Sequence, residues 1–248
     1  MCRHIAYVGA PVRLADLLLT PEHSLLRQSW APRDMRGGGT VNADGYGIGW
    51  YAGGAEPVRL RRTGPMWTDA TLPALAEEIR AEGVLAAVRS ATVGMPVIET
   101  ACAPFTDGSW LFSHNGLVRG WPSSVAALAA RLPVTDLLQM DAPTDSALLW
   151  ALLRARLAAG EKAADAVAAL VTEVAEVAPD SRLNLLLTDG TQVVGTAWTH
   201  ALWVRALDDA VVVASEPYDE EPGWQEVPDG HLVTAAPSTV DMMRLGAP

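Results

Sequence analysis

Two adjacent helical stretches, followed by an unbroken series of short apolar strands, constrain this chain more than any other feature of its sequence. Pro143-Thr144-Asp145 supplies a capping triplet for a helix that runs toward Gly160, and a second helical stretch follows from Glu161 to about Val177. After them, Leu183–Leu187 turns at Asp189-Gly190 into Gln192–Thr196, and Leu202–Ala206 turns at Asp208-Asp209 into Val211–Ala214. A last strand covers His231–Ala235. The first half reads as a strand at Ile5–Val8, a helix at Arg13–Leu19 between two prolines, and a loop over Gln28–Thr40 with the triple glycine Gly37-Gly38-Gly39. Gly45–Tyr51 is a strand whose glycines let another backbone approach. Leu72–Ala81 and Ser123–Leu132 have helical spacing. Val84–Val88 and Trp110–Ser113 are buried strands, ending on Arg89 and on His114-Asn115-Gly116. Strands, a helix pair and then hairpins do not make βαβ units. They fit an α+β domain over residues 1–248, with two antiparallel sheets and helices on their outer faces.

Composition removes several classes of function. At 248 residues, 50% hydrophobic and 19% charged, the chain has ample material for a core and is not disordered. Acidic residues outnumber basic ones 29 to 18, for a net charge of −11, and that field repels a phosphate backbone or an anionic membrane. No apolar run is long enough to span a bilayer and the start lacks a signal-peptide pattern, so the expected compartment is the cytoplasm. Two cysteines, Cys2 and Cys102, are too few for a disulfide framework, and five scattered histidines give no zinc spacing. No cofactor or metal is expected, and nothing indicates a homo-oligomer.

Four short segments carry residues suited to chemistry. Cys2 is either a small apolar strand residue or, once Met1 is removed, a thiol on the same residue as a free α-amine that serves as its base. Arg89, in Arg89-Ser90-Ala91-Thr92, either pairs with a structural carboxylate or turns its planar fork toward a substrate carboxylate. Asn115-Gly116 taken alone is a hairpin turn; its alternative is an oxyanion hole of one side-chain amide and one backbone N–H. Thr144-Asp145-Ser146 caps a helix, and an exposed Asp145 there could also hold an ammonium. The glycine-rich Asn42–Trp50 run lacks the Lys and following helix of a phosphate loop, and Cys102 reads as a packed thiol.

In order along the chain, Cys2, Asn42-Ala43-Asp44-Gly45-Tyr46-Gly47, Arg89-Ser90-Ala91-Thr92-Val93-Gly94, His114-Asn115-Gly116 and Thr144-Asp145-Ser146 together resemble the class II glutamine amidotransferases. The resemblance continues into Ala214-Ser215-Glu216-Pro217 and Trp224–Leu232. It implies an N-terminal-nucleophile hydrolase with a four-layer αββα sandwich. It also implies roles: Cys2 attacks a γ-glutamyl carbonyl, Asn115 and Gly116 receive the oxyanion, Arg89 holds the α-carboxylate and Asp145 the α-ammonium. Thr92 and His114 belong to the same substrate site. The chain ends at Pro248 with no synthase attached, and Met1–Tyr7 with Ser24–Ser29 look like the branch that acts in ergothioneine biosynthesis. That branch implies a small-molecule γ-glutamyl substrate, γ-glutamyl-hercynylcysteine sulfoxide, with Trp30, Tyr46, Trp50 and Trp121 as candidates to contact its trimethylammonium. A glutaminase subunit for a separate synthase, a hydrolase of other γ-glutamyl amides and a non-enzymatic domain are the competing readings.

Overall fold

The structure, a computed structural model, describes residues 2–36 and 41–246; Met1 and the Gly37-Gly38-Gly39 run lie outside the described residues. The first half contains β1 (Arg3–Arg13), α1 (Leu14–Leu18), α2 (Leu25–Gln28), β2 (Tyr46–Tyr51), β3 (Val58–Arg62), α3 (Leu72–Glu78), β4 (Arg80–Val88), β5 (Phe105–Asp107) and β6 (Trp110–Leu117). Then come α4 (Ala126–Ala129), α5 (Val134–Leu138), α6 (Asp145–Ala158) and α7 (Ala163–Val177). The chain closes with β7 (Arg182–Thr188), β8 (Val193–Ala197), β9 (Trp203–Ala206), β10 (Ala210–Ala214), β11 (Gln225–Glu226), β12 (His231–Ala236) and β13 (Thr239–Arg244). Among the described residues these strands form one sheet in the order β11-β9-β10-β1-β4-β2-β3 and another in the order β13-β12-β8-β7-β6-β5. Neighbours in both sheets are antiparallel.

Period-two alternation of side chains sorts these strands into four layers. In β1, Ala6 and Val8 point into a core between the sheets, where they meet Leu111, Leu186 and Val233 of the opposite sheet. Ile5 and Tyr7 point the other way, under Leu14, Leu17 and Leu18 of α1 and Leu72 of α3. Likewise Leu186 faces the first sheet, while Leu185 and Leu187 pack under α6 and α7. Strands buried on both faces are apolar at every position, and this is why they read as runs rather than alternations. The αββα sandwich is thus the observed architecture.

Gly47 lets the two sheets close on each other. A Cβ there would lie 2.3 Å from the carbonyl oxygen of Ala103, on the segment leading into β5, so only hydrogen fits. Elsewhere tertiary pairing overrides local signals. Helix α3 stops at Glu78, short of the Ala81 expected from its spacing, because Arg80 already pairs with Arg13. The stretch over 123–132 divides into a 3-10 turn, Ser123–Val125, and α4. Strand β6 runs straight through His114-Asn115-Gly116, so the Asn-Gly pair is not a turn: Asn115 lies opposite Asn184 and Gly116 opposite Leu183.

Truncating the inter-sheet layer tests this packing. Leu186→Ala, at a fully buried position, should lower unfolding free energy by about 2–5 kcal/mol. Urea denaturation measures it; a change below about 1 kcal/mol would mean the two sheets do not close on that side chain.

Candidate active site

Cys2 immediately precedes β1, and β1 is held on both sides, Arg3 opposite Val88 of β4 and Ile5 opposite Ala214 of β10. Arg3 is only 1% exposed, and its guanidinium lies 3.8 Å from the Glu216 carboxylate. It donates to the Cys2 carbonyl at 3.0 Å and to the Asp34 carbonyl, so it fixes the residue that carries the thiol. Glu216 in turn accepts the backbone N–H groups of Arg33, at 3.1 Å, and Asp34, at 2.9 Å. Burial pulls the Arg3 pKa down, and Glu216 and then Asp34 oppose it.

Cys2, Arg89, Thr92, His114, Gly116 and Asp145 line one pocket at this end of the sandwich. The Cys2 Sγ lies 3.8 Å from the Ser90 carbonyl. Arg89 leaves the end of β4 with its backbone clamped: its N–H donates to Gly45 O at 2.8 Å and its carbonyl accepts from Asp44 N–H at 2.9 Å. Asp44 also accepts the Ala91 N–H at 2.8 Å, so the glycine-rich run braces the arginine segment. The Arg89 guanidinium donates to Pro96 O at 2.9 Å and, among the described residues, has no carboxylate within salt-bridge distance. The structural-pair alternative for Arg89 therefore fails.

Asp145 is not exposed at its helix end, as the sequence suggested; it is 7% exposed on the pocket wall. Thr144 caps α6 through Ala147 N–H, which leaves the Asp145 carboxylate free to accept from Val118 N–H at 3.0 Å and Ser146 N–H at 2.7 Å. No cation pairs with it among the described residues. The His114 Nε2 lies 2.9 Å from Arg182 O, which can only accept, so that nitrogen carries the proton; Nδ1 is 3.0 Å from Ser146 Oγ. Gly116 has no room for a side chain, since a Cβ would meet Arg182 O at 1.9 Å.

Asn115 is placed differently from the other predicted residues. It is wholly buried behind the pocket wall, with Nδ2 donating to Ser215 Oγ at 3.2 Å and Oδ1 without a partner. Ser215 Oγ also accepts the His4 N–H at 2.9 Å, so one hydroxyl ties strand β1 to the amide. An Asn amide carries two N–H donors, and one remains after the Ser215 bond. The four aromatics named above do not gather. Trp50 packs on the α1–α3 side, Trp121 joins the α6–α7 core, and Trp30 meets Trp67 edge to face at 5.7 Å. Only Tyr46 borders the space around Cys2, and its hydroxyl is bound to Asp69. Cys102 is a packed thiol, with burial raising its pKa.

Sequence reasoning missed Arg3, Arg182 and the site roles of Ser146, Ser215 and Glu216. Arg3 opens β1 two residues ahead of the strand expected at Ile5–Val8, so no local pattern marked it for a buried pair.

Comparison with known proteins gives this geometry a family. The model for glutamine amidotransferases class-II matches residues 24–207, and the chain belongs to that family. Over 234 residues it is 45% identical to the gamma-glutamyl-hercynylcysteine sulfoxide hydrolase of Mycolicibacterium smegmatis, covering 94% of this chain and 95% of that protein. It is 40% identical over 245 residues to the protein of that name from Mycobacterium tuberculosis, covering 99% and 97%. A solved glutamine aminotransferase class-II domain protein from Silicibacter pomeroyi shares the fold over 99% of this chain and all of its own, with a TM-score of 0.71 at 22% identity. Among the described residues no helix is long and apolar enough to cross a membrane.

Two buried histidines behind the site make stability depend on pH. Burial holds His4 well below its ordinary pKa and brings His200 down to about 4, with Arg3 adding to the effect on both. In the unfolded chain both titrate near 6.5. The unfolded state therefore binds more protons below that value, so the stability is fully present above about pH 6.5 and is lost progressively toward pH 4. Urea midpoints measured between pH 7.5 and 4.5 should fall, and fall less steeply in His200→Gln; equal slopes would contradict the assignment.

Proposed function

We propose that this chain hydrolyses the γ-glutamyl amide bond of γ-glutamyl-hercynylcysteine sulfoxide, releasing glutamate through a thioester on Cys2. One juxtaposition carries the reading: Cys2 shares a pocket with a guanidinium, Arg89, and a carboxylate, Asp145, neither of which has an opposite charge of its own among the described residues. The glutamyl head is a zwitterion with one carboxylate and one ammonium at fixed separation from the scissile carbonyl. Arg89 and Asp145 answer both charges and hold the carbonyl against the thiol, which converts binding into near-attack geometry. The leaving group is carried by the relatives at 45% and 40% identity that bear that substrate's name.

Removal of Met1 frees the Cys2 α-amine, whose unperturbed pKa of about 7.7–8.0 suits it to take the thiol proton. Attack forms the S–C bond and moves the carbonyl electron pair onto oxygen. That oxyanion is received by the Gly116 N–H and the remaining N–H of Asn115. The α-ammonium then delivers its proton to the leaving nitrogen as the C–N bond breaks. Water attacks the thioester in the same way, and glutamate leaves with the thiol restored. His114, fixed by Arg182 O and Ser146, and Thr92 complete the substrate wall.

Glutamate release from the conjugate and from glutamine, side by side, tests the proposal. Strong release from the conjugate, none in Cys2→Ala, and turnover lowered about 10²–10³-fold in Asn115→Ala are expected. Release from glutamine alone would give the chain a different substrate, and activity surviving in Cys2→Ala would remove the thioester.

A further inference from the structure

Strand β7 opens with a cation that the steps above leave unused. Leu183, Leu185 and Leu187 pack beneath α6 and α7, whereas Leu186 faces the opposite sheet, so the alternation sends Arg182 toward the inter-sheet side at the end where Cys2 lies. Its backbone lies directly against two residues of the pocket wall: its carbonyl accepts a hydrogen bond from His114 Nε2 at 2.9 Å and leaves no room for a side chain at Gly116. Its guanidinium is half-buried, its Nε is fully buried without a hydrogen-bond partner, and no carboxylate lies within salt-bridge distance among the described residues. Burial and the neighbouring Arg119 both work against its charge, while Cys2 favours it, so guanidinium and thiol share one field. Arg119 is exposed and also lacks an acidic partner among the described residues.

A half-buried guanidinium whose Nε is shut off from both water and an anion carries an unmet desolvation cost that an anionic ligand would offset. Arg89 and Asp145 already answer the two charges of the glutamyl head. A γ-glutamyl conjugate of an α-amino acid brings one more charge close to the reacting bond: the carboxylate on the carbon attached to the leaving nitrogen. Glutamine and γ-glutamyl amines have nothing there. We propose that Arg182 binds this α-carboxylate on the leaving-group side of Cys2 and thereby selects γ-glutamyl-amino acid conjugates over glutamine and over γ-glutamyl amines. The assignment rests on the hydrolase reading above. The planar fork of arginine matches a carboxylate through two parallel N–H···O bonds, a geometry lysine does not offer.

Two substrates that differ by this one carboxylate test it: γ-glutamyl-L-alanine and γ-glutamylethylamide, assayed with the wild-type chain, Arg182→Met and Arg182→Lys. The wild type should favour γ-glutamyl-L-alanine in kcat/KM by about 10–100-fold, the range of a charge-assisted hydrogen-bonded pair. Arg182→Met should lose that preference through γ-glutamyl-L-alanine, with γ-glutamylethylamide held within about twofold; Arg182→Lys should recover only part of it. Equal turnover of the two by the wild type overturns the assignment, and that arm stands even where Arg182→Met does not fold. An equal loss on both substrates in a folded Arg182→Met also overturns it, since that marks a structural role. Absence of glutamate release by the wild type from these two and from γ-glutamyl-hercynylcysteine sulfoxide is a separate result: it removes the hydrolase reading and this inference with it.

Discussion

Everything at the site depends on strand β1 being paired on both edges. Chain starts are ordinarily the least ordered part of a domain. Here the third residue is already opposite Val88 on one side, and the fifth opposite Ala214 on the other. The buried Arg3–Glu216 pair completes the restraint, with Arg3 holding the Cys2 carbonyl and Glu216 holding two backbone amides of the 33–34 segment. A buried ion pair of this kind is weak evidence for stability in itself, because desolvation offsets most of the attraction. Its consequence is positional. The same two charges that are expensive to bury leave Cys2, one backbone unit away, with little freedom to move.

The remaining groups arrive on equally stiff supports. Arg89 extends the strand next to β1 and is bracketed by Asp44 and Gly45, while Asp145 occupies the first turn of a 14-residue helix whose other face is core. Asn115 and Gly116 lie near the end of β6, fixed by pairing with β7. Strand ends and a helix start deliver these side chains to one point. Sites built this way hold geometry to tenths of an ångström better than sites on loops.

What was legible in the sequence follows the same physical division. The helix pair α6–α7 and the β7–β8 and β9–β10 hairpins were readable because cap, glycine turn and apolar run agree locally. Strands β3, β5, β11 and β13 were not. They are edge or near-edge strands, short or rich in charge, such as Val58–Arg62 with three arginines in five residues, and their pairing partner alone makes them strands. The Asn115-Gly116 dipeptide pointed locally to a turn, and the approach of the Arg182 carbonyl explains the glycine instead. Residue types at the site were visible as a set of motifs. That Arg89 lacks an acid partner among the described residues, or that Arg182 opens the strand paired with Asn115 and Gly116, depends on which strands become neighbours, and no local pattern encodes that.

Charge shows why composition was a guide to what this protein avoids and not to what it takes. A net −11 spread over the surface disfavours long polyanions, whose binding sums many weak contacts. Screening confines that average field to about 8 Å at physiological salt. Inside a partly buried pocket, water and ions screen much less, so even a single guanidinium without an acidic neighbour, such as Arg89, outweighs the distant acidic surface. An acidic protein can therefore carry a local anion site without contradiction. The informative quantity is not the balance of 18 basic and 29 acidic residues but which of the arginines the fold leaves unpaired, and among the described residues these include Arg89, Arg119 and Arg182.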